Sequence, residues 1–488
     1  MTASTLRVAV VGSGPAGIYT AEALVKQSAS LPDPPDIRVD VLDRLPTPYG
    51  LVRYGVAPDH TSIKSIARYL QRVLEQPNVR FIGGIHLGAP QDGGITRDEL
   101  LSCYDAVVYA TGAMRDRKLG VPGEDLPGSA AATDFVNWYC GHPDVDSAAF
   151  NVDAESVAVI GVGNVAVDVV RILAKTADEL KHTDIPDPVF RALTASRVKE
   201  IHMIGRRGPA QAKFTTKELR ELGELPGTDV VVLQDEADLA TFDVSGEGAG
   251  LVEKDRRVRG NVEVIRRWAE AVPEGRPRRL TVRFWLKPAE ITGTERVTGL
   301  RVERTRLDQD GRLHGTGEFQ EIPAQMVLRS VGYQSVQLPG VPFDPRSATV
   351  PSTEGRVLGE DGHPLPGEYV AGWLKRGPTG VIGTNKSDAA ETVRSLLADL
   401  TGHGDDGGTA LPRAGTLRFP DAPASAGPRA PIDELLASRG IRPVSYQNWL
   451  AIEAREVKLA AELGRGERVK LPTHAELLAA CDDVARLL

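Results

Sequence analysis

The chain has 488 residues, too many for one ordinary core and enough for two or three domains of about 100–200 residues each. Its formal net charge of −8 excludes nucleic-acid binding by bulk electrostatics. Its three cysteines, Cys103, Cys140 and Cys481, stand too far apart for a local redox dithiol, and no cysteine cluster offers a zinc or iron–sulfur site. Ahead of the first apolar run stands only "MTASTL", which is no secretory or transit signal. "VAVVG" falls far short of the ~20 apolar residues of a membrane span, so a soluble, cytoplasmic protein with no bound metal is expected.

The first elements read as "RVAVVGSGPAGIYTAEALVKQ": a β-branched strand, then Gly12-x-Gly14-x-x-Gly17, then a helical pattern. Gly12 suits a tight turn, Gly14 a close approach to a pyrophosphate, and Gly17 close packing of helix on strand. A pyrophosphate would sit at the helix N-terminus, where free N–H groups and the dipole favour anions. The next strand, "IRVDVLDR", ends in Asp43, 26 residues after Gly17, with the Pro-rich "LPDPPD" supplying the extra length. Asp43 is expected to accept hydrogen bonds from a ribose; the plainer alternative is an acid closing a strand-end turn.

"SVAVIGVGNVAVDVVRILAK" repeats the pattern with Gly161, Gly163 and Ala166. Two such units in strand–turn–helix context predict two dinucleotide sites. The strand "KEIHMI" then runs into Gly205-Arg206-Arg207, where a ribose-binding acid would otherwise stand. Planar guanidiniums suit a 2′-phosphate, so the second dinucleotide is expected to be NADP. The first site should then hold a different dinucleotide, FAD being the natural candidate. Thr215 and Glu218 in "FTTKEL" have the spacing of a capping box, and Asp168 and Arg171 stand at i, i+3 as an exposed pair would.

Residues 254–279 carry nine basic residues against four acids, an excess of five positive charges in an acidic chain. "LRSVGYQ" and "EYVAGW" read as strands rejoining the first sheet. The fold class is therefore α/β with two Rossmann-like dinucleotide-binding domains, an NADP domain (114–337) inserted into a discontinuous FAD domain (1–113 and 338–488). "GVIGTN" precedes a helix beginning near "NKSDAAETV". Residues 401–431 are Gly/Pro/Ala-rich and read as a loop, followed by two helices.

The blocks "VGSGPAGIYTAEAL", "LPTPYGLVRYGVAPDH", "GVGNVAVDVVRIL", "GRRGPAQAKFTTKELREL" and "GWLKRGPTGVIGTNKSDAAETV" resemble the adrenodoxin reductase-like ferredoxin–NADP reductases, in the glutathione-reductase-like flavoprotein superfamily. The resemblance implies FAD contacts at Gly12, Ser13, Pro15, Ala16, Asp43, Leu51, Trp373 and Gly380-Val381-Ile382. It implies NADP contacts at Val162-Gly163-Asn164-Val165, Arg206, Arg207, Glu218 and Gly380. His60, Asp168 and Glu218 match positions near flavin and nicotinamide and are the candidate catalytic residues. Without the resemblance, His60 and Glu218 read as helix-start residues and Trp373 as core. The family often has Glu where this chain has Asp43.

The lack of a local dithiol argues against a disulfide reductase; an external one-electron carrier fits better, and the resemblance points to a ferredoxin. Such ferredoxins are typically acidic, and the 254–279 segment is a candidate dock with Arg256, Arg257 and Arg259 at its core. The expected function is electron transfer between NADPH and a ferredoxin. An NADPH oxidase or diaphorase, a glutamate synthase-like flavin subunit and a non-catalytic nucleotide-sensing scaffold stay open as alternatives. The glutamate synthase subunit would bring a cysteine-rich segment that this chain lacks.

Overall fold

The computed structural model describes residues 5–150, 152–402 and 431–482. Both fingerprint strands begin at the surface and end buried, Val8, Ala9 and Val10 in Thr5–Val11 and Val157, Ala158 and Val159 in Ser156–Ile160 being fully buried. Runs of this kind bury both faces, which only a sheet covered on both sides allows.

Among the described residues, eight strands form the first sheet, in the order Ser352–Thr353, Arg356–Leu358, Pro364–Val370, Ala106–Tyr109, Thr5–Val11, Asp36–Asp43, Val79–Gly83, Val444–Ser445. Its five central strands are parallel, with Val8 opposite both Val39 and Ala106. The second sheet is parallel throughout and runs Ser129–Ala131, Met326–Arg329, Ser156–Ile160, Glu200–Ile204, Arg278–Arg283, Thr228–Val232. Its strands lie between those of the first sheet in sequence, so one unit is nested in the other.

"LRSVGYQ" does not rejoin the first sheet. Met326–Arg329 instead pairs between Ser129–Ala131 and Ser156–Ile160, and the chain crosses back only at Tyr333–Gln334, which pairs antiparallel with Arg115–Asp116. That ribbon carries the chain both out of and back into the first half. "EYVAGW" does contribute to the first sheet, beside Ala106–Tyr109. The Gly/Pro/Ala-rich stretch read as a loop over 401–431 lies, apart from its ends, outside the described residues; Thr401 still belongs to the helix Thr384–Thr401.

An antiparallel sheet of Leu286–Gly293, Val297–Leu307 and Leu313–Pro323 was not legible in advance. Leu286, Leu300, Val302 and Ile322 from it pack on Ala158, Ile160 and Ile204 of the second parallel sheet. It therefore covers one face of that sheet while helices cover the other. The helix Tyr446–Leu463 sends Trp449 and Ile452 into the core of the first half.

Buried charges join the halves. Arg53 donates to Glu456, and Lys470 Nζ donates to the carbonyls of Arg53 at 2.6 Å and Cys140 at 3.0 Å. Arg53, Glu456 and Lys470 are 5 %, 0 % and 1 % exposed, so each charge depends on these partners for solvation.

Candidate functional site

Gly12 ends the first strand at φ +112°, and a Cβ there would lie 2.5 Å from the Ala110 carbonyl oxygen. A Cβ on Gly17 would lie 1.8 Å from the Gly12 carbonyl oxygen, so the helix Pro15–Ser28 touches the turn with no side chain between. Gly14 differs. Its φ of −72° suits any residue, and a Cβ would meet nothing closer than Gly50 Cα at 3.9 Å. The fold itself does not require glycine there; bare backbone at that point leaves room for a group that is not part of the chain. Pro15 opens the helix without cost, because its position needs no N–H, and the first-turn N–H of Ala16 has no intrahelical acceptor.

Asp43 reaches this loop from the neighbouring strand. It accepts from Ser13 N–H at 2.8 Å, from Ser13 Oγ at 2.5 Å and, on its other oxygen, from Leu45 N–H at 2.9 Å. Burial raises its pKa, and those hydrogen bonds work against the rise. Tyr49, at φ +83°, and Gly50, at φ +48°, bend the following chain against Gly14. A Cβ on Gly50 would lie 2.9 Å from Gly14 Cα. Leu51 follows at the start of the short helix Leu51–Tyr54. Left-handed backbone at a non-glycine residue is costly, and Tyr49 marks a constraint that residue spacing does not reveal.

The second loop repeats this division. Gly161 (φ +140°) has no room for a Cβ, which would lie 2.2 Å from the Ser330 carbonyl oxygen, while a Cβ on Gly163 would meet nothing within 4 Å. Ala166 is fully buried beneath the helix Asn164–Ala174. Val162 packs beside Gly205, and its carbonyl accepts from Lys213 N–H; Val165 packs on the core behind. Asn164 Oδ1 accepts from Thr215 N–H at 2.9 Å, so this loop also holds the start of the helix Thr216–Gly223. Arg206 and Arg207 follow the adjacent strand Glu200–Ile204, Arg206 exposed and Arg207 half-buried. Neither side chain forms an ion pair or hydrogen bond among the described residues.

Between the two loops lies a polar cluster assembled from both halves. His60 and Asp59 come from the first half; Asp168, Arg171 and Lys175 from the second fingerprint helix and the residue after it; Glu218 and Glu221 from Thr216–Gly223. Arg171 is 2 % exposed and donates to Asp59 at 2.7 Å and to Asp168 at 2.8 Å. The Asp168–Arg171 pair is therefore buried, not the exposed i, i+3 pair expected, because Asp59 closes over it from the other half.

Glu218 likewise departs from the capping box. Thr215 accepts from Glu218 N–H at 3.4 Å, but the reciprocal bond is missing and Glu218 Oε2 is buried without a hydrogen bond. His60 precedes the helix Thr61–Lys64 without capping it. Its Nε2 lies 3.3 Å from Glu221 and 3.8 Å from Asp168, without hydrogen-bond geometry to either. The Tyr139 hydroxyl is also buried without a partner.

The cluster sets its own charge states. Burial lifts the Asp168 carboxyl to about 7, Arg171 pulling it down and Glu218 pushing it up. Glu218 is raised, chiefly by burial. Burial opposes ionisation of Asp59, but Arg171 and Lys175 hold it far below the usual carboxylate range. Burial and then Arg171 lower His60, favouring neutral imidazole. Unpaired polar atoms this deep point to a missing partner.

A third wall comes from the end of the first sheet. Gly372, at φ +74°, lets the chain pass Ala16, whose Cβ would lie 2.5 Å from a Cβ at Gly372. Trp373 is half-buried and not core; its ring lies 5.6 Å from that of Tyr333, and its Nε1 donates to the Thr379 carbonyl at 3.1 Å. Gly380 (φ +84°), Val381 and Ile382 lead into the helix Thr384–Thr401, with Val381 69 % exposed. An apolar side chain this open beside a chain-end loop suits contact with a flat ring.

The basic segment stands apart from the cluster. Arg256 is exposed at the start of the helix Arg256–Glu270, N-capped by Asp255. Arg257 donates to the carbonyls of Ala212 and Phe214, and Arg259 to those of Val252 and Glu253. Two of the three arginines thus tie down backbone as well as presenting charge. No group of three or more His, Cys, Asp or Glu among the described residues is arranged to hold a metal ion, and no helix among them is long and apolar enough to cross a membrane.

The pyridine nucleotide-disulphide oxidoreductase family matches residues 6–222. NADPH-ferredoxin reductase FprA of Mycobacterium tuberculosis is 44 % identical over 475 residues, spanning 96 % of this chain and 98 % of that protein. The mitochondrial NADPH:adrenodoxin oxidoreductase of Arabidopsis thaliana is 36 % identical over 491 residues, 97 % of this chain and 95 % of its own. The solved structure of Mycobacterium tuberculosis FprA in complex with NADPH aligns with a TM-score of 0.85 at 41 % identity, covering 98 % of this chain and all of that one.

Proposed function

The chain belongs to the adrenodoxin reductase-like ferredoxin–NADP reductases, within the pyridine nucleotide-disulphide oxidoreductases, and from that membership we propose how its own residues serve the reaction. It is an NADPH-dependent oxidoreductase that uses FAD and NADP, with a ferredoxin-type iron–sulfur protein as electron partner. Bound FAD would supply hydride acceptance from NADPH and single-electron release, chemistry that belongs to the cofactor and not to a protein base.

The first loop holds the FAD pyrophosphate against the bare backbone at Gly14 and the helix start at Pro15-Ala16. Asp43 orients Ser13 and receives the adenosine ribose on its remaining lone pairs. Leu51, Trp373 and Gly380-Val381-Ile382 line the flavin. The second loop, Val162-Gly163-Asn164-Val165, holds the NADP pyrophosphate, and Arg206 and Arg207 take the 2′-phosphate. Glu218 and His60 offer their unpaired atoms to the nicotinamide and flavin edges. Asp168, titrating near neutrality and paired with Arg171, keeps a proton within reach of that cluster. The exposed Arg256, with Arg257 and Arg259 beside it, receives an acidic ferredoxin.

The observation carrying this reading is the repeated contrast within the loops. In each, the first glycine is demanded by the protein, whereas the middle one, Gly14 or Gly163, has free space in front of it. Anaerobic stopped-flow with NADPH and NADH, followed by ferredoxin-dependent cytochrome c reduction, tests it. NADPH should bleach the flavin band, and Arg206→Ala with Arg207→Ala should raise KM for NADPH about 100-fold, two charge-assisted contacts being lost. Equal use of NADH and NADPH by the unaltered protein would overturn the arginine assignment. Turnover with ferricyanide but none with any ferredoxin would make the protein a diaphorase.

A further inference from the structure

Arg206 and Arg207 share a cavity of about 300 Å³ with a third cation that the fingerprint does not contain, Lys287. Lys287 stands on Leu286–Gly293 of the antiparallel sheet, whose three strands line the cavity together with the arginines. The sheet is tied to the arginines' backbone: Thr305 Oγ1 donates to the Arg206 carbonyl at 2.8 Å, and Trp285 N–H to the Arg207 carbonyl at 3.3 Å.

The two acids nearest the cavity bond to other groups. Glu303 lies directly across the ladder from Lys287 and its carboxylate rests against Gly315 of the cavity wall, but it accepts from Gly317 N–H at 3.2 Å and forms no ion pair with the lysine. Asp308 is occupied by His314, which also lines the cavity, at 2.6 Å. Among the described residues, the side chains of Arg206, Arg207 and Lys287 have no counter-ion. Three like charges around one cavity repel each other unless an anion joins them. An ammonium on a long, flexible stem can meet such an anion as a point charge where a planar guanidinium would need a fixed angle.

We infer that Lys287 is a third ligand of the NADP 2′-phosphate, so that the antiparallel sheet as well as the turn after Glu200–Ile204 sets the preference for NADP over NAD. This rests on the assignment of Arg206 and Arg207 to the same phosphate. The role would be specificity, not chemistry, since Lys287 acts on a phosphate remote from the reacting ring.

The test is equilibrium binding of 2′,5′-ADP and 5′-AMP to the FAD-loaded protein and its Lys287→Gln, Lys287→Arg and Arg206→Ala variants. Lys287 is exposed, and the variants should keep the flavin spectrum and melting temperature. Lys287→Gln should weaken 2′,5′-ADP about tenfold relative to 5′-AMP, with Lys287→Arg recovering most of the loss. If Arg206→Ala weakens 2′,5′-ADP selectively but Lys287→Gln does not, the inference about Lys287 is wrong and the arginine assignment stands. If neither variant distinguishes the two ligands, the cavity is not the phosphate site and both readings fall.

Discussion

Gly14 and Gly17 are three residues apart and should respond to an added methyl group in opposite ways. Gly17→Ala drives its Cβ to 1.8 Å from a backbone oxygen, so the protein should melt several degrees lower or fail to accumulate. Gly14→Ala meets no such obstacle and should fold normally but purify with little flavin, read as loss of the visible absorption band. If Gly14→Ala keeps its full flavin content, the pyrophosphate does not lie there. Asp168 offers a second test at this scale. Its folded pKa of about 7 stands above the ordinary 3.8 of an unfolded chain. Between those values the folded state holds a proton that the unfolded state has released, so stability contributed by the group falls as pH rises through that window. The melting temperature of Asp168→Asn relative to the parent should therefore improve from pH 5 to pH 8. A difference that stays constant across that range would mean Asp168 is ionised throughout.

Elements that the sequence makes legible are those built from neighbours. Each fingerprint strand, turn and helix announces itself within about 20 residues, and the helix Tyr446–Leu463 is equally plain. What escapes is set by distant partners. Asp168 and Arg171 look like a surface pair until Asp59, 112 residues from Arg171, closes on them. Thr215 and Glu218 satisfy the spacing of a reciprocal cap, but burial beside Asp168 and Arg171 places the carboxylate elsewhere. The antiparallel sheet was missed because its long outer strand, Leu313–Pro323, is mostly exposed and polar, and its burial depends on a parallel sheet formed far away in the chain. The helix Tyr446–Leu463 also has a measurable role in holding the first half together. Glu456→Gln leaves Arg53 buried without its counter-charge and should cost about 3 kcal/mol of stability in denaturant unfolding. A loss below about 1 kcal/mol would show that the rings of Tyr54 and Trp449, each 5.1 Å from the guanidinium, suffice.

Across the whole molecule, a net charge of −8 coexists with a basic helix start that should steer an acidic partner. Arg256→Glu is the cleanest probe, because Arg257 and Arg259 also support backbone. It should raise KM for ferredoxin about tenfold at low salt, with a smaller effect at high salt, while ferricyanide reduction is unchanged. Equal losses with both acceptors would place the dock elsewhere. The nested order of the two sheets follows from the paired strand–turn–helix signals, whereas the contacts between the halves do not, because their partners stand far apart in the chain. Lys470 makes one of those contacts: its ammonium bridges a carbonyl on each half. The seam therefore does not depend on this one residue, because Asp59 and Arg171 already join the same two halves.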